Sequence, residues 1–325
     1  GDVYKRQHMN TLQQLQQWTV IVSDTGEIDE IKKYKPTDAT TNPTLILQAV
    51  DNPKYVSLLQ DAIAWGKKAN LSSDILLDTI ITKLFVNFGV EISKIISGRI
   101  STEVDAKLSF NKQGSIAQAK QFIELYEKAG VPRERILIKL ASTWEGILAA
   151  KELEKQGIHC NMTLLFDLCQ AIACAEAKVT LISPFVGRIT DWYKQKDKVD
   201  AYPADKDPGV KSVVQIYNYY KKYHYKTEVM GASFRNTGQI LALSGCDLLT
   251  ISPKLLQNLM ETKTHLTQKL DAKSAQTDLS KITLDEATFR WKLNENAMAT
   301  EKLAEGIRNF AADSKKLKEK LEKLL

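Results

Sequence analysis

Eight short β-branched runs alternating with helix-length amphipathic segments predict an α/β fold, a parallel sheet closed into a (β/α)8 barrel of the TIM type. The runs fall at residues 20–23, 38–41, 99–104, 136–140, 159–163, 179–183, 228–230 and 248–251, and eight strands are what such a barrel requires. The second observation is where the polar residues stand. Seven runs end in Ser23-Asp24, Thr40-Thr41-Asn42, Ser101-Thr102-Glu103, Lys139, Asn161-Met162-Thr163, Ser183-Pro184 or Gly231-Ala232-Ser233. In a barrel the loops after the strand C-termini share one face, so these ends converge. An open doubly wound sheet gathers ligands only at its switch point and leaves most of them unexplained.

Taken in order, residues 1–8 show no periodic pattern and precede Met9, after which Leu12 and Leu15 adopt helical spacing. They are read as a non-native cloning remnant and set aside from the fold. Between the second and third strands, residues 43–96 hold more than one helix, because Leu58, Leu59 and Ile63, then Ile81, Leu84, Phe85 and Phe88, recur at helical spacing. The run 75–81 is apolar enough for a strand. Its pattern continues through Ile92, Ile95 and Ile96 without a turn signal, which makes it helix. After the eighth strand come Leu255 to Leu270 and a polar stretch at 271–280. A final segment then carries Leu303, Ile307, Phe310, Leu317, Leu321 and Leu324 on one face, a helix that packs on the barrel or on a second subunit. No solenoid repeat or low-complexity linker divides the chain, so residues 9–325 form one domain, with a C-terminal helical extension from about 253 to 325.

With 43% hydrophobic and 26% charged residues, the composition is that of a soluble globular protein. No apolar run is long enough to span a bilayer and no secretory leader pattern is visible, so neither a membrane nor export is expected, and the default location is the cytoplasm. The four cysteines, Cys160, Cys169, Cys174 and Cys246, lack metal-site or redox spacing, and the four histidines do not cluster with them. Buried free thiols and no metal are the expectation. The net charge of +6 points to anionic partners. No helix-turn-helix, RNA-binding aromatic motif or basic stripe accompanies it, so small anionic substrates fit better than nucleic acid.

The chemistry is concentrated in one residue. Lys139 interrupts the apolar run Ile136-Leu137-Ile138-Lys139-Leu140-Ala141, where a strand buried on both faces rarely tolerates an ammonium group. Desolvation disfavours the charged form, and a free amine attacks a carbonyl carbon to form a Schiff base. A lysine at a strand end can equally run its stem to solvent. Asp24 stands in Ser-Asp-Thr-Gly, ordinary turn composition, yet at a strand C-terminus. Glu103, taken by itself, reads as a salt-bridge partner neutralising Lys139. Asp105 is read as structural, beside Arg99.

Six segments carry a resemblance to transaldolase: Asp38-Ala-Thr-Thr-Asn-Pro43, Gly98-Arg-Ile-Ser-Thr-Glu-Val-Asp105, Ile136-Leu-Ile-Lys-Leu-Ala-Ser-Thr-Trp144, Asn161-Met-Thr-Leu-Leu-Phe166, Ile182-Ser-Pro-Phe-Val-Gly-Arg188 and Met230-Gly-Ala-Ser-Phe-Arg235. They fall in the family's order and span nearly the whole chain. The resemblance implies Lys139 as the Schiff-base lysine and Asp24 as the acid/base of carbon–carbon cleavage. It implies Glu103 as the proton carrier of imine formation, through a water also held by Thr163. Asn42, Asn161 and Ser183 would bind hydroxyls of the three-carbon fragment, and Phe185 would wall the intermediate off from water. Arg188, Ser233 and Arg235 would hold the phosphate, for which a guanidinium fork is geometrically suited.

The family's reaction transfers a dihydroxyacetone unit from a ketose phosphate, sedoheptulose 7-phosphate or fructose 6-phosphate, to glyceraldehyde 3-phosphate or erythrose 4-phosphate in the pentose phosphate pathway. No cofactor is implied, since the protonated imine is itself the electron sink. The long helical C-terminus resembles that of dimeric members, so a homodimer is expected. Two alternatives stand beside this reading: a class I aldolase that releases free dihydroxyacetone, and a phosphosugar-binding barrel without catalysis.

Overall fold

All eight expected strands are present in the computed structural model, which describes residues 1–325 except the side chains of Arg6, Gln7 and Asp74. They are β1 (Val20–Asp24), β2 (Asp38–Thr40), β3 (Ile100–Glu103), β4 (Ile136–Ala141), β5 (Cys160–Leu165), β6 (Leu181–Pro184), β7 (Glu228–Gly231) and β8 (Leu248–Ile251). Neighbours in sequence pair in parallel, and β8 pairs with β1, so the sheet closes without an edge. Strand ends differ from the sequence expectation by one or two residues, as such boundaries do.

Strand alternation sorts the side chains between two environments. Ile21, Ile100, Ile138, Met162, Ile182 and Val229 join the helices in the main core. Val22, Leu137, Leu181, Met230 and Leu248 form a separate cluster inside the barrel. Two residues further along the same parity stand Asp24, Lys139, Ser183 and Thr250, so an apolar layer lies beneath a polar one at the strand C-termini.

At the opposite end Arg99 donates to Asp38 and to both carboxylate oxygens of Glu228, at 2.9 and 3.0 Å, joining β2 to β7. Asp105, expected beside Arg99, instead accepts the backbone N–H of Lys107 and caps one 3-10 turn. The reason is directional: Arg99 precedes β3 and Asp105 follows it, which puts the length of the strand between them.

Residues 43–96 form the helices Pro43–Ala49, Val56–Lys68 and Ser73–Ser93, and the apolar run 75–81 is helical as expected. Past β8 the helix Pro253–Met260 ends early, and the chain then runs without regular structure, held through Ser244 and by burial of Leu266 and Leu270. A helix at Glu286–Glu295 was not foreseen, because Phe289 is its only buried residue and leaves no apolar stripe to read. The helix Ala297–Glu322 packs on the barrel through Leu303, Ile307, Phe310, Leu317 and Leu321, touching β5 and the helix Pro43–Ala49. Leu324, expected on that face, lies past the helix end and is exposed. Residues 1–8, set aside above, include a largely exposed helix, Asp2–His8. All four cysteines are free and buried.

Candidate active site

A cavity of about 360 Å³ opens at the C-terminal ends of the strands, within the size range of small-ligand sites. Of the residues singled out from sequence, Asp24, Asn42, Lys139, Thr163, Ser183, Phe185, Arg188, Ser233 and Arg235 line it. Glu103 and Asn161 are not in the lining, but strand pairing sets both opposite Lys139. Larger grooves of about 560 and 770 Å³ lie elsewhere and contain none of these side chains.

Lys139 is 6% exposed. Its Nζ donates to the carbonyl oxygen of Thr41 at 3.4 Å. Glu103 stands directly across from it in the β3–β4 register, 5% exposed, yet no ion pair within 4.0 Å joins the two among the described residues. The simple neutralising salt bridge weighed from sequence is therefore not formed. Glu103 Oε2 and Thr163 Oγ1 are instead buried without a protein partner. Such atoms are uncommon and call for a functional or solvent explanation. Burial pushes the Glu103 carboxyl up to about 7, with the positive charges of Lys139 and Arg188 opposing and Asp24 adding to the rise. A carboxyl poised there can give or take a proton near neutrality.

Asp24 ends β1 and is likewise raised by burial, against the pull of Lys139, a hydrogen bond from Thr40 and the charge of Arg188. Thr40 Oγ1 donates to Asp24 Oδ1 at 2.9 Å and lies 2.7 Å from Thr250 Oγ1. A hydroxyl has one proton, so with Thr40 donating to Asp24 the second bond runs from Thr250 to Thr40. Thr250 was not singled out from sequence, and Thr40 only as part of the polar end of its run. The available signal was parity: Thr40 shares its strand face with Asp38 and pairs in register with Asp24.

Asn161 is fully buried, donating from Nδ2 to Ser101 Oγ at 3.1 Å and accepting from the Ser183 hydroxyl. Asn42 uses Oδ1 to cap the helix Pro43–Ala49 on the Leu45 N–H at 2.8 Å, which leaves its amide nitrogen to donate. Phe185 is buried and packs edge-to-face on Phe166 with ring centroids 5.3 Å apart.

The mouth is cationic. Arg188 is the second residue of the helix Gly187–Asp197, and burial, followed by the like charge of Arg235, draws its pKa down. Arg235 is oriented by Asp191, whose Oδ2 accepts from Nε at 3.1 Å and from Nη2 at 2.9 Å. Ser233 has φ 61°, a left-handed conformation that a non-glycine residue adopts only under local constraint. Gly187 lets this loop approach, since a Cβ there would strike the Ser233 carbonyl oxygen and sit 2.8 Å from Arg235 Cγ. A buried lysine flanked by two carboxyls, beneath two arginines, suits imine chemistry on a small phosphorylated ketone. No group of three or more His, Cys, Asp or Glu fit to hold a metal occurs among the described residues.

The family model described as Transaldolase/Fructose-6-phosphate aldolase matches residues 21–321. A transaldolase of Cricetulus griseus is 60% identical over 324 residues, 99% of this chain and 96% of that protein. A transaldolase of Homo sapiens is 60% identical over 320 residues, 98% and 95% of the two chains. A transaldolase of the bacterium Protochlamydia amoebophila is 59% identical over 313 residues, 96% and 97%. With a family model spanning most of its length and relatives matched nearly end to end, the chain belongs to the transaldolase/fructose-6-phosphate aldolase family.

Proposed function

We propose that the chain transfers a dihydroxyacetone unit between phosphorylated sugars through a Schiff base on Lys139. Transaldolase activity follows from the family and from its near-full-length relatives. The proposal is the assignment of each step to atoms. The observation that carries it is the burial of Lys139 opposite Glu103, in a polar cavity that two arginines overlook.

Lys139 first gives its ammonium proton, through water, to the ionised Glu103; the free amine then attacks the ketone carbon of the donor, and the resulting carbinolamine must lose its hydroxyl as water. Glu103, near half-protonated at neutrality, supplies that proton. A water bridging Glu103 Oε2 and Thr163 Oγ1 would satisfy both unpartnered atoms and carry the proton to the leaving hydroxyl. The iminium then draws electrons from the bond to be broken. Asp24 takes the proton of the hydroxyl on the departing carbon, the carbon–carbon bond cleaves, and the aldose phosphate leaves. The three-carbon enamine stays on Lys139, with Asn42, Asn161 and Ser183 on its hydroxyls and Phe185 limiting water. Addition to an acceptor aldehyde reverses the steps, with Asp24 returning the proton to the new alkoxide. Arg188, Ser233 and Arg235 hold the phosphate of donor and acceptor in turn.

Donors in this reading are sedoheptulose 7-phosphate or fructose 6-phosphate, and acceptors glyceraldehyde 3-phosphate or erythrose 4-phosphate. A homodimer working in the cytoplasm completes the proposal. Among the described residues no helix is long and apolar enough to cross a membrane. Light scattering on the purified chain tests the dimer.

Borohydride reduction in fructose 6-phosphate, followed by intact mass and peptide mapping, tests the assignment. A three-carbon adduct on Lys139 that disappears when erythrose 4-phosphate is added supports a transferable Schiff base. An adduct indifferent to acceptor favours an aldolase releasing free dihydroxyacetone. No adduct, in a protein that still binds the sugar phosphate, sinks the role of Lys139.

A further inference from the structure

Arg188 differs from the other charged groups of the site in how it is held. No carboxylate or carbonyl accepts a hydrogen bond from its guanidinium among the described residues, whereas Arg235 spends two N–H groups on Asp191. Aromatic faces hold Arg188 instead. Its guanidinium carbon lies 4.8 Å from the ring centroid of Phe185 and 5.5 Å from that of Phe310. Phe185 follows β6, but Phe310 comes from the C-terminal helix and is 2% exposed.

The helix reaches this position through a second feature. Gly306 lies one helical turn before Phe310, and a Cβ on it would come 3.2 Å from Arg188 Nη1 while pressing into the Leu164 side chain. Leu164 has φ 53° at the β5 irregularity between Met162 and Leu165, and it packs in one cluster with Phe185 and Phe310. Bulges of this kind re-aim side chains next to active sites.

We infer that the C-terminal helix is part of the phosphate site: Phe310 positions the Arg188 guanidinium, and Gly306 permits the close approach this requires. The inference rests on Arg188 as a phosphate ligand. An ion pair would hold the arginine equally well, but it would occupy N–H donors and set a carboxylate in competition with the phosphate. A ring face attracts the cation and uses none of its five N–H groups, so all of them remain for the ligand. Fixing the side chain beforehand also removes part of the ordering cost of binding.

The test compares phosphate-dependent and phosphate-independent readouts in the full chain. In Phe310→Leu, the inhibition constant of inorganic phosphate and the KM for fructose 6-phosphate rise about fivefold, while borohydride trapping by unphosphorylated dihydroxyacetone shifts far less. Phe310→Tyr, which keeps the ring face, restores the phosphate readouts. Gly306→Ala, which alters the approach without touching the ring, raises them as well and serves if Phe310→Leu folds poorly. Unchanged phosphate inhibition in folded Phe310→Leu and Gly306→Ala, or equal losses with dihydroxyacetone, overturns the inference. Arg188→Met separates the two levels. If phosphate inhibition survives in it, the reading of Arg188 falls and the inference with it; if only Arg188→Met weakens inhibition, the inference alone falls.

Discussion

Replacing Glu103 with glutamine keeps the shape, turns one carboxyl oxygen into an N–H donor, and removes the ability to hold or release a proton. Burial raises this carboxyl from 4.5 to about 7. At about 1.4 kcal/mol per pH unit, the folded protein favours the protonated over the ionised form by about 3 kcal/mol more than the unfolded chain does. Because the folded value is the higher one, this contribution to stability is complete below about 4.5 and is lost as the pH rises through about 7. Glu103→Gln cannot lose it. Its stability relative to the parent should therefore improve by about 3 kcal/mol between pH 4.5 and pH 8.5, whatever the fixed cost of the amide. Urea denaturation of both proteins at several pH values measures the difference directly. The same variant should form the imine about 10² to 10⁴ times more slowly, the usual contribution of a positioned acid–base group, and lose the limb of the rate profile near pH 7. A stability difference independent of pH would refute a raised carboxyl at position 103. Imine formation at the parental rate would remove its catalytic role.

Lys139→Met should remain folded and give no borohydride adduct with any ketose phosphate. With the positive charge gone, the Glu103 carboxyl should titrate higher than in the parent, seen as a pH-dependence of stability displaced to higher pH. Asp24→Ala should still form the imine in single-turnover trapping while cleavage slows about 10²-fold or more. Thr40→Val removes the hydrogen bond that favours the Asp24 carboxylate, so the acidic limb of the pH profile should move up; an unmoved limb would mean that Asp24 does not control it. Arg235→Ala should raise the KM for phosphorylated donors far more than that for dihydroxyacetone, and equal effects on both would remove it from the phosphate site.

Much of this molecule is written locally. Strand alternation in Ile136–Ala141 fixes that Lys139 faces opposite to Ile138, whatever the rest of the chain does. The same parity places Asp24 and Thr163 on barrel-facing positions, and eight such runs with polar C-terminal ends point to a closed sheet over an open one. Hence Lys139 and the strand-end positions of Asp24 and Glu103 were legible from residue type and position, while the roles proposed for the two carboxyls came through the resemblance. The two arginines proposed for the phosphate were legible only through the resemblance, because a lone arginine, Arg188 at the start of a helix or Arg235 in a loop, has no periodic signature.

What the sequence could not reveal are contacts between residues brought together by closure and by the late helices. Thr40 meets Thr250 only because β8 returns to β1. Arg99 finds Glu228 across the barrel, while Asp105, near it in sequence, stands beyond the far end of β3. Asn161 and Ser183 bond to each other, so a substrate hydroxyl bound there as proposed would share or displace that bond. Phe310 reads as one more apolar residue of an amphipathic helix, and the approach at Gly306 is what lays it on Arg188. Local periodicity decides which way a side chain faces, and the sequence by itself determined that. Which distant group it faces depends on barrel closure and helix packing, which only the tertiary structure decides.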